Sequence, residues 1–312
     1  VTTVGVAIPS FVLCAVLLIY LSVKLQWLPV ISGSLESWKS YVAPVIGLSF
    51  YPMCYVAKLT RTSMLDAINL AAGPMLGKEY AARYVPGDHK RRAEQIAGQV
   101  RDALGRGIER SPWLSDAAKG EAKAKLDKLK IEVGTPRRDL DYSVQPMGRG
   151  SFGGNMLIAS TWRHREEMKR IGKGNADRRW DVLPQQPALA YDLAQNRLIV
   201  TAAVLQEEIF DAKQPAAVQY GAFGALVGHE LSRGFDVKGR MVDAKGQLRD
   251  WWTPADVAAW NALGDKVVAQ YNGYAFPVLK NVKVNGALTR DENLADLAGV
   301  ELAWDAFASA EP

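Results

Sequence analysis

The sequence predicts a mainly α-helical protein with a small β-sheet, preceded by one or two transmembrane helices. Three observations predict it. Residues Val1 to Val23 carry no charged side chain, and a helix of that length would span about 34 Å, enough for a bilayer core of about 30 Å. Beyond residue 90, apolar residues return at helical spacing in successive stretches. The pattern offers a strand candidate that is short, Ile131 to Val133.

At 312 residues the chain can bury a substantial core, and its length suggests two domains. A net charge of +5 is small for this size and gives no case for nucleic-acid binding. Cys14 and Cys54 both lie in apolar runs, so no disulfide framework is implied. The chain opens on Val rather than Met, which suggests a fragment.

The first apolar run lacks the basic front and short apolar middle of a signal peptide, which favours a membrane helix. A second uncharged run, Ser40 to Ala57, is interrupted by Pro44 and Pro52, which transmembrane helices tolerate. Lys58 and Arg61 follow it and favour a cytoplasmic position there, although Lys24, Lys39 and Glu36 between the runs make the asymmetry slight. The strings Val4-Gly-Val-Ala-Ile-Pro-Ser-Phe-Val, Leu28-Pro29-Val30 and Tyr55-Val-Ala-Lys-Leu-Thr-Arg-Thr-Ser-Met-Leu65 resemble the permease subunit of bacterial dipeptide and oligopeptide ABC transporters. That resemblance, over residues 1–69, implies a bacterial inner-membrane location and transporter subunits as partners. A domain boundary is expected near residue 70. No Gly/Ser-rich or Pro-rich linker marks it, as in a fusion of two truncated genes.

In residues 71–312, Lys90 to Ile108 reads as a helix, with Ile96, Val100 and Leu104 at spacing four and the Lys90-Arg91-Arg92 run on a solvated face. Ser115 is a suitable N-cap for a helix from Asp116 to Leu129. The strand Ile131 to Val133 is closed by Gly134 and Pro136. His89, in a turn-like Gly-Asp-His-Lys, and His164, in a charged helical stretch, are read as solvated surface histidines. Val218 to Arg233 reads as a Gly- and Ala-rich helix, and another runs from Ala255 to about Asn272. Trp251 and Trp252, just before the latter, are expected to anchor the core.

Val227 to Asp236 comes closest to stating a chemistry. His229 and Glu230 open the pattern His-Glu-x-x-His, in which imidazoles at i and i+4 share one helix face, about 6 Å apart along the axis, and can grip one zinc ion. The Glu sits beside the metal-bound water and can take its proton. Here Arg233 stands where the second His would be. A guanidinium stays protonated and offers a metal no lone pair.

The blocks around this stretch carry a second resemblance. Gly77-Lys-Glu-Tyr80, Arg83-Tyr-Val-Pro86, Tyr220 to Glu230, Phe235-Asp236, Gly239-Arg240, Leu248 to Pro254 and Asp291-Glu-Asn-Leu-Ala-Asp296 follow one another as in the neprilysin family of zinc metallopeptidases, over roughly residues 73–310. The resemblance implies a zincin-like α+β fold, one zinc ion and peptide substrates. It also implies His229 and Glu292 as metal ligands, Glu230 as general base, and Asp236 and Asp296 as carboxylates orienting the histidines. Where the family has an Asn-Ala-Tyr edge strand that binds substrate backbone, this chain has Leu189-Ala190-Tyr191; Leu189 lacks the amide, while backbone pairing by Ala190 survives. A further His and a substrate-binding Arg of the family would lie beyond Pro312.

Arg233 is expected to repel zinc and to pair with Glu230 or Glu292, lowering the pKa of Glu230. The expectation is therefore a membrane-anchored zinc metalloendopeptidase homologue with impaired activity. The alternative is a permease fragment or a non-catalytic fusion product.

Overall fold

In a computed structural model of the chain the described residues are 10–29, 37–137, 140–173, 179–279 and 281–310. Val1 to Pro9 of the first apolar run, Val30 and Glu36 lie outside them. The rest of that run forms α1 (Ser10–Leu17), which continues as a π-helical stretch, Leu18–Lys24. The second run opens α2 (Lys39–Tyr84), which passes through Pro44 and Pro52 and has non-helical angles at Ala72, φ −128° and ψ 15°. Among the described residues α2 is the one helix long and apolar enough to cross a membrane, by length and composition; the first run supplies a shorter apolar helix.

The chain divides into two compact units, Val1–Ala72 with Met147–Ser160, and Gly73–Pro146 with Thr161–Pro312. The second holds the helices α3 (Gly87–Arg110) and α4 (Asp116–Asp127) and the strand β1 (Lys130–Gly134). After α5 (Phe152–Met168), whose first part belongs to the other unit, come β2 (Leu189–Asp192) and β3 (Arg197–Thr201). The last helices are α6 (Ala216–Gln219), α7 (Ala225–Ser232), α8 (Pro254–Asn272) and α9 (Gly286–Ala310).

Helix α3 follows from its pattern: Ala93, Ile96, Ala97, Val100, Ala103 and Leu104 are buried on one face. It starts a turn earlier than its apolar spacing suggests, with Asp88 in the first turn, where a carboxylate suits the positive helix end. That extra turn corrects the reading of His89. It is buried rather than solvated, with Nε2 3.6 Å from Asp211 and its ring edge-on to Phe210. Ser115 caps α4 as expected, its Oγ accepting from Ala118 N at 3.3 Å. Thr253 and Asp256 form a reciprocal capping box at the start of α8, with Pro254 in the first turn.

The three strands lie in the order β1-β3-β2. β3 pairs in parallel with β1 and antiparallel with β2, which leaves β2 at an edge. Every residue of β3 is buried, as a central strand covered on both faces requires. One of them is charged: Arg197 pairs with buried Glu132 of β1 at 3.3 Å and with Asp192 at 3.0 Å. The core joins α3, β1 and β3 to α7 and to the inner residues of α9. Trp251 and Trp252 are buried in it, and Trp252 meets Trp113 and Trp260 with ring centroids 5.4 Å apart.

Candidate active site

The stretch read as one helix from Val218 to Arg233 is a continuous right-handed run in which a π-helical segment, Tyr220–Gly224, joins α6 to α7. His229 and Glu230 lie in the last turns of α7. Arg233 is the residue that closes it, still in right-handed conformation at φ −61° and ψ −26°. The spacing argument therefore holds, and His229 and Arg233 share a face.

α9 packs across this face and brings Glu292 and Asp296, one turn apart, to His229. Its Nδ1 is 2.7 Å from Asp296 Oδ1, and its Nε2 is 3.5 Å from Glu292 Oε2. With a proton on Nδ1 donated to Asp296, the lone pair stays on Nε2, the tautomer a metal ligand needs. The ring is largely buried while both carboxylates reach solvent.

Arg233 occupies the other side. Its Nη2 lies against Glu292 Oε1 and its Nη1 is 3.3 Å from Asp236 Oδ2. Burial alone would ease the proton off this guanidinium, but Glu292 and Asp236 outweigh it and hold the charge more firmly. Asp236 thus touches the residue at the second ligand position, not His229. Its other oxygen accepts from Lys238 N and Gly239 N, each at 2.8 Å, which fixes the turn after α7.

Glu230 is half-buried, and its Oε2 accepts from the backbone N of Tyr191 on β2 at 3.1 Å. Burial pushes its carboxyl above the usual range; the Tyr191 hydrogen bond and the charges of His229 and Arg233 only partly offset this. The expected net lowering is corrected here: Arg233, paired with Glu292, still pulls the pKa down, but burial outweighs it.

Thr201 N donates to Ala188 O at 3.0 Å. By strand alternation Ala190 also turns its peptide groups to β3, and Leu189 and Tyr191 turn theirs to the open edge. The edge contact to Glu230 is thus made by Tyr191, whose backbone role its side chain does not advertise.

The residues present supply an imidazole nitrogen and one carboxylate for a metal, with a cation where a third ligand would stand. Among the described residues no group of three or more His, Cys, Asp or Glu side chains is arranged to hold a metal ion. A catalytic zinc generally takes three protein ligands plus water. The donor set does not fit that requirement.

Helices packed on a small mixed sheet, with a His-Glu pair on one helix facing carboxylates on another, define a metallopeptidase-like protein. Two models described as peptidase family M13 match the chain, one over residues 51–136 and one over residues 190–311. The chain belongs to peptidase family M13. The first match takes in Tyr55 to Leu65, the stretch that also carries the permease resemblance. Among curated proteins, Neprilysin-3 of Drosophila melanogaster is 25% identical over 77% of this chain and 31% of its own length. Human Endothelin-converting enzyme-like 1 is 28% identical over 78% of this chain and 32% of its own length. The chain thus spans about a third of these relatives.

A Mycobacterium tuberculosis zinc metalloprotease, solved with an inhibitor, superposes with a TM-score of 0.66 at 31% identity, covering 78% of this chain and 37% of its own. In its open state the score is 0.73 at 27% identity, over 90% and 47% of the two chains. The mostly helical fold with a small sheet is the fold of these peptidases, and the family is one of zinc metallopeptidases.

Proposed function

We propose that this chain is a membrane-anchored M13 homologue that binds zinc weakly and hydrolyses peptides poorly or not at all. The observation that carries the reading is the seat of Arg233, whose guanidinium bridges Glu292 and Asp236. Loss of a group that merely orients a metal ligand costs about 10–100-fold in affinity or activity. Loss of a ligand, with a fixed cation in its place, costs at least that. His229, held by Asp296, is the remaining nitrogen donor, and Glu292 is the carboxylate donor once Arg233 releases it. Glu230 is the proton acceptor of the site, and burial, by raising its pKa, makes it a stronger base. An extended peptide would lie along the β2 edge, recognised by the backbone groups of Leu189 and the carbonyl of Tyr191, whose N–H is held by Glu230.

α2 supplies the anchor in a lipid bilayer, and the permease-like strings point to a bacterial inner membrane. The transporter reading is the weaker one, since the one membrane-length helix among the described residues does not line a pore. The test is a zinc titration of wild type, Arg233→His, and Arg233→His with Glu292→Ala. Arg233→His is expected to raise zinc affinity by at least roughly tenfold, and Glu292→Ala to remove that gain. Tight stoichiometric binding by wild type, unchanged in Arg233→His, would overturn the proposal.

A further inference from the structure

The contacts of His229 depend on how closely α7 approaches α9, and two glycines stand where these helices cross. A Cβ placed on Gly228 would lie 2.9 Å from the Cα and 2.9 Å from the carbonyl oxygen of Gly299. One placed on Gly299 would overlap the carbonyl oxygen of Ala225 and lie 2.9 Å from the backbone N of His229. In both directions the obstacle is main chain, which cannot rotate aside as a side chain can. Backbone therefore rests on backbone here, a closer approach than helices with side chains between them reach.

The crossing is next to the site in sequence and in space. Gly228 precedes His229. Glu292, Asp296 and Gly299 are spaced i, i+4 and i+7, so they form one stripe along α9. The Cβ position of Gly299 faces His229 N, within one turn of the carboxylate that meets His229 Nδ1 at 2.7 Å. We propose that Gly228 and Gly299 are positioning residues: their backbone-to-backbone crossing sets the separation of α7 and α9 and with it the hydrogen bond between His229 and Asp296. The inference does not depend on whether the site takes metal, because that bond is made by the chain's own residues.

A methyl at Gly299 forces the helices apart by about 1 Å to restore ordinary contact distances. A bond of 2.7 Å between His229 and Asp296 then opens beyond hydrogen-bond range. Gly221, on the same helical run, has open space where its Cβ would be, so Gly221→Ala is the matched control.

The experiment uses the full chain in detergent, labelled with ¹⁵N-histidine. With three histidines in the sequence, the ring signals are assigned by substituting His89, His164 and His229 singly. Wild type is expected to show a downfield Nδ1 proton for His229, and Asp296→Asn defines the spectrum without the carboxylate. Gly299→Ala should lose the downfield proton as Asp296→Asn does. Gly228→Ala should lose or weaken it, and Gly221→Ala should keep it. The His89 and His164 signals should stay in place throughout, which a general loosening of the fold would not allow. A folded Gly299→Ala with an unmoved His229 signal overturns the proposal. If Gly228→Ala and Gly299→Ala both fail to fold, while Asp296→Asn folds, the crossing serves core integrity and the positioning role is likewise overturned.

Discussion

Lys125 is fully buried on α4, in a run of Lys and Ala that gives no sign of it. Its Nζ donates to Gly239 O at 2.8 Å and Val242 O at 2.9 Å, and so ties α4 to the turn beyond α7. Burial pushes its pKa down to about 8, against the pull of Asp236, Asp243 and Glu121. A neutral amine still has two N–H groups for the two carbonyls. Below pH 8 the folded and unfolded chains both hold this proton, so the contribution to stability is flat. Above it the unfolded chain binds more protons than the folded one, and stability rises with pH. Wild type should therefore gain on Lys125→Met by roughly 1–3 kcal/mol between pH 8 and 10. Denaturant unfolding followed by tryptophan fluorescence at each pH measures this, and a constant difference would refute it. At this scale the face shared by His229 and Arg233 was legible from spacing, whereas Glu292 and Asp296 were singled out by the family resemblance. The sequence was silent where burial decides, as at Lys125, His89 and the raised carboxyl of Glu230.

Among the elements, the two helix starts at Ser115 and Thr253 are joined by a single carboxylate. Asp256 accepts from Ser115 N at 2.6 Å and Oγ at 2.8 Å, and from Thr253 N at 2.8 Å and Oγ1 at 2.7 Å. Burial would push this carboxyl up, but the Thr253 and Ser115 hydrogen bonds together hold it below the usual range. Its stabilisation is thus complete above the ordinary carboxylate range and is lost as pH falls through the folded pKa. Thr253→Ala should cost about 1 kcal/mol. Asp256→Ala should cost about 2–4 kcal/mol, because both helix starts lose their acceptor. Equal losses in denaturant melts would show that the link between the helices adds nothing.

The sheet carries its own test. Arg197→Met leaves Glu132 buried with the Trp180 indole as its remaining partner, at a cost of about 3–5 kcal/mol. Arg197→Met combined with Glu132→Met should recover much of that; no recovery would mean that packing, not the stranded charge, is responsible. Caps such as Ser115 could be read from the sequence because their chemistry is local. The π-helical segment Tyr220–Gly224 could not, since a Gly- and Ala-rich apolar run does not reveal which helical pitch it takes.

For the whole molecule, the decisive surface is that of α2. Trp38, Val45, Leu48, Met53 and Val56 in and just before its first half are exposed, the last four at 58%, 66%, 61% and 59%. On the proposed membrane anchor this apolar perimeter would face lipid. The full chain should stay in the membrane pellet through a carbonate wash and come out with detergent; recovery in the washed supernatant would remove the anchor from the proposal. The class of fold and the order of its elements were legible in the pattern. The second apolar run was legible as a membrane-length helix, while Val1 to Pro9 of the first run lie outside the described residues.

The arrangement of the sheet also bears on how the chain folds. β2 and β3 are separated by a four-residue turn, Leu193 to Asn196, and can zip together as a local hairpin. β1 joins the same middle strand only after a crossover that contains α5, part of which belongs to the other compact unit. Closing so long a segment is entropically slow, although each doubling of loop length adds only about 0.6 kcal/mol. The topology predicts that the β2–β3 hairpin forms before β1 docks. The strand that offers Tyr191 to Glu230 then belongs to the early pair, and Arg197 meets Glu132 only when β1 arrives.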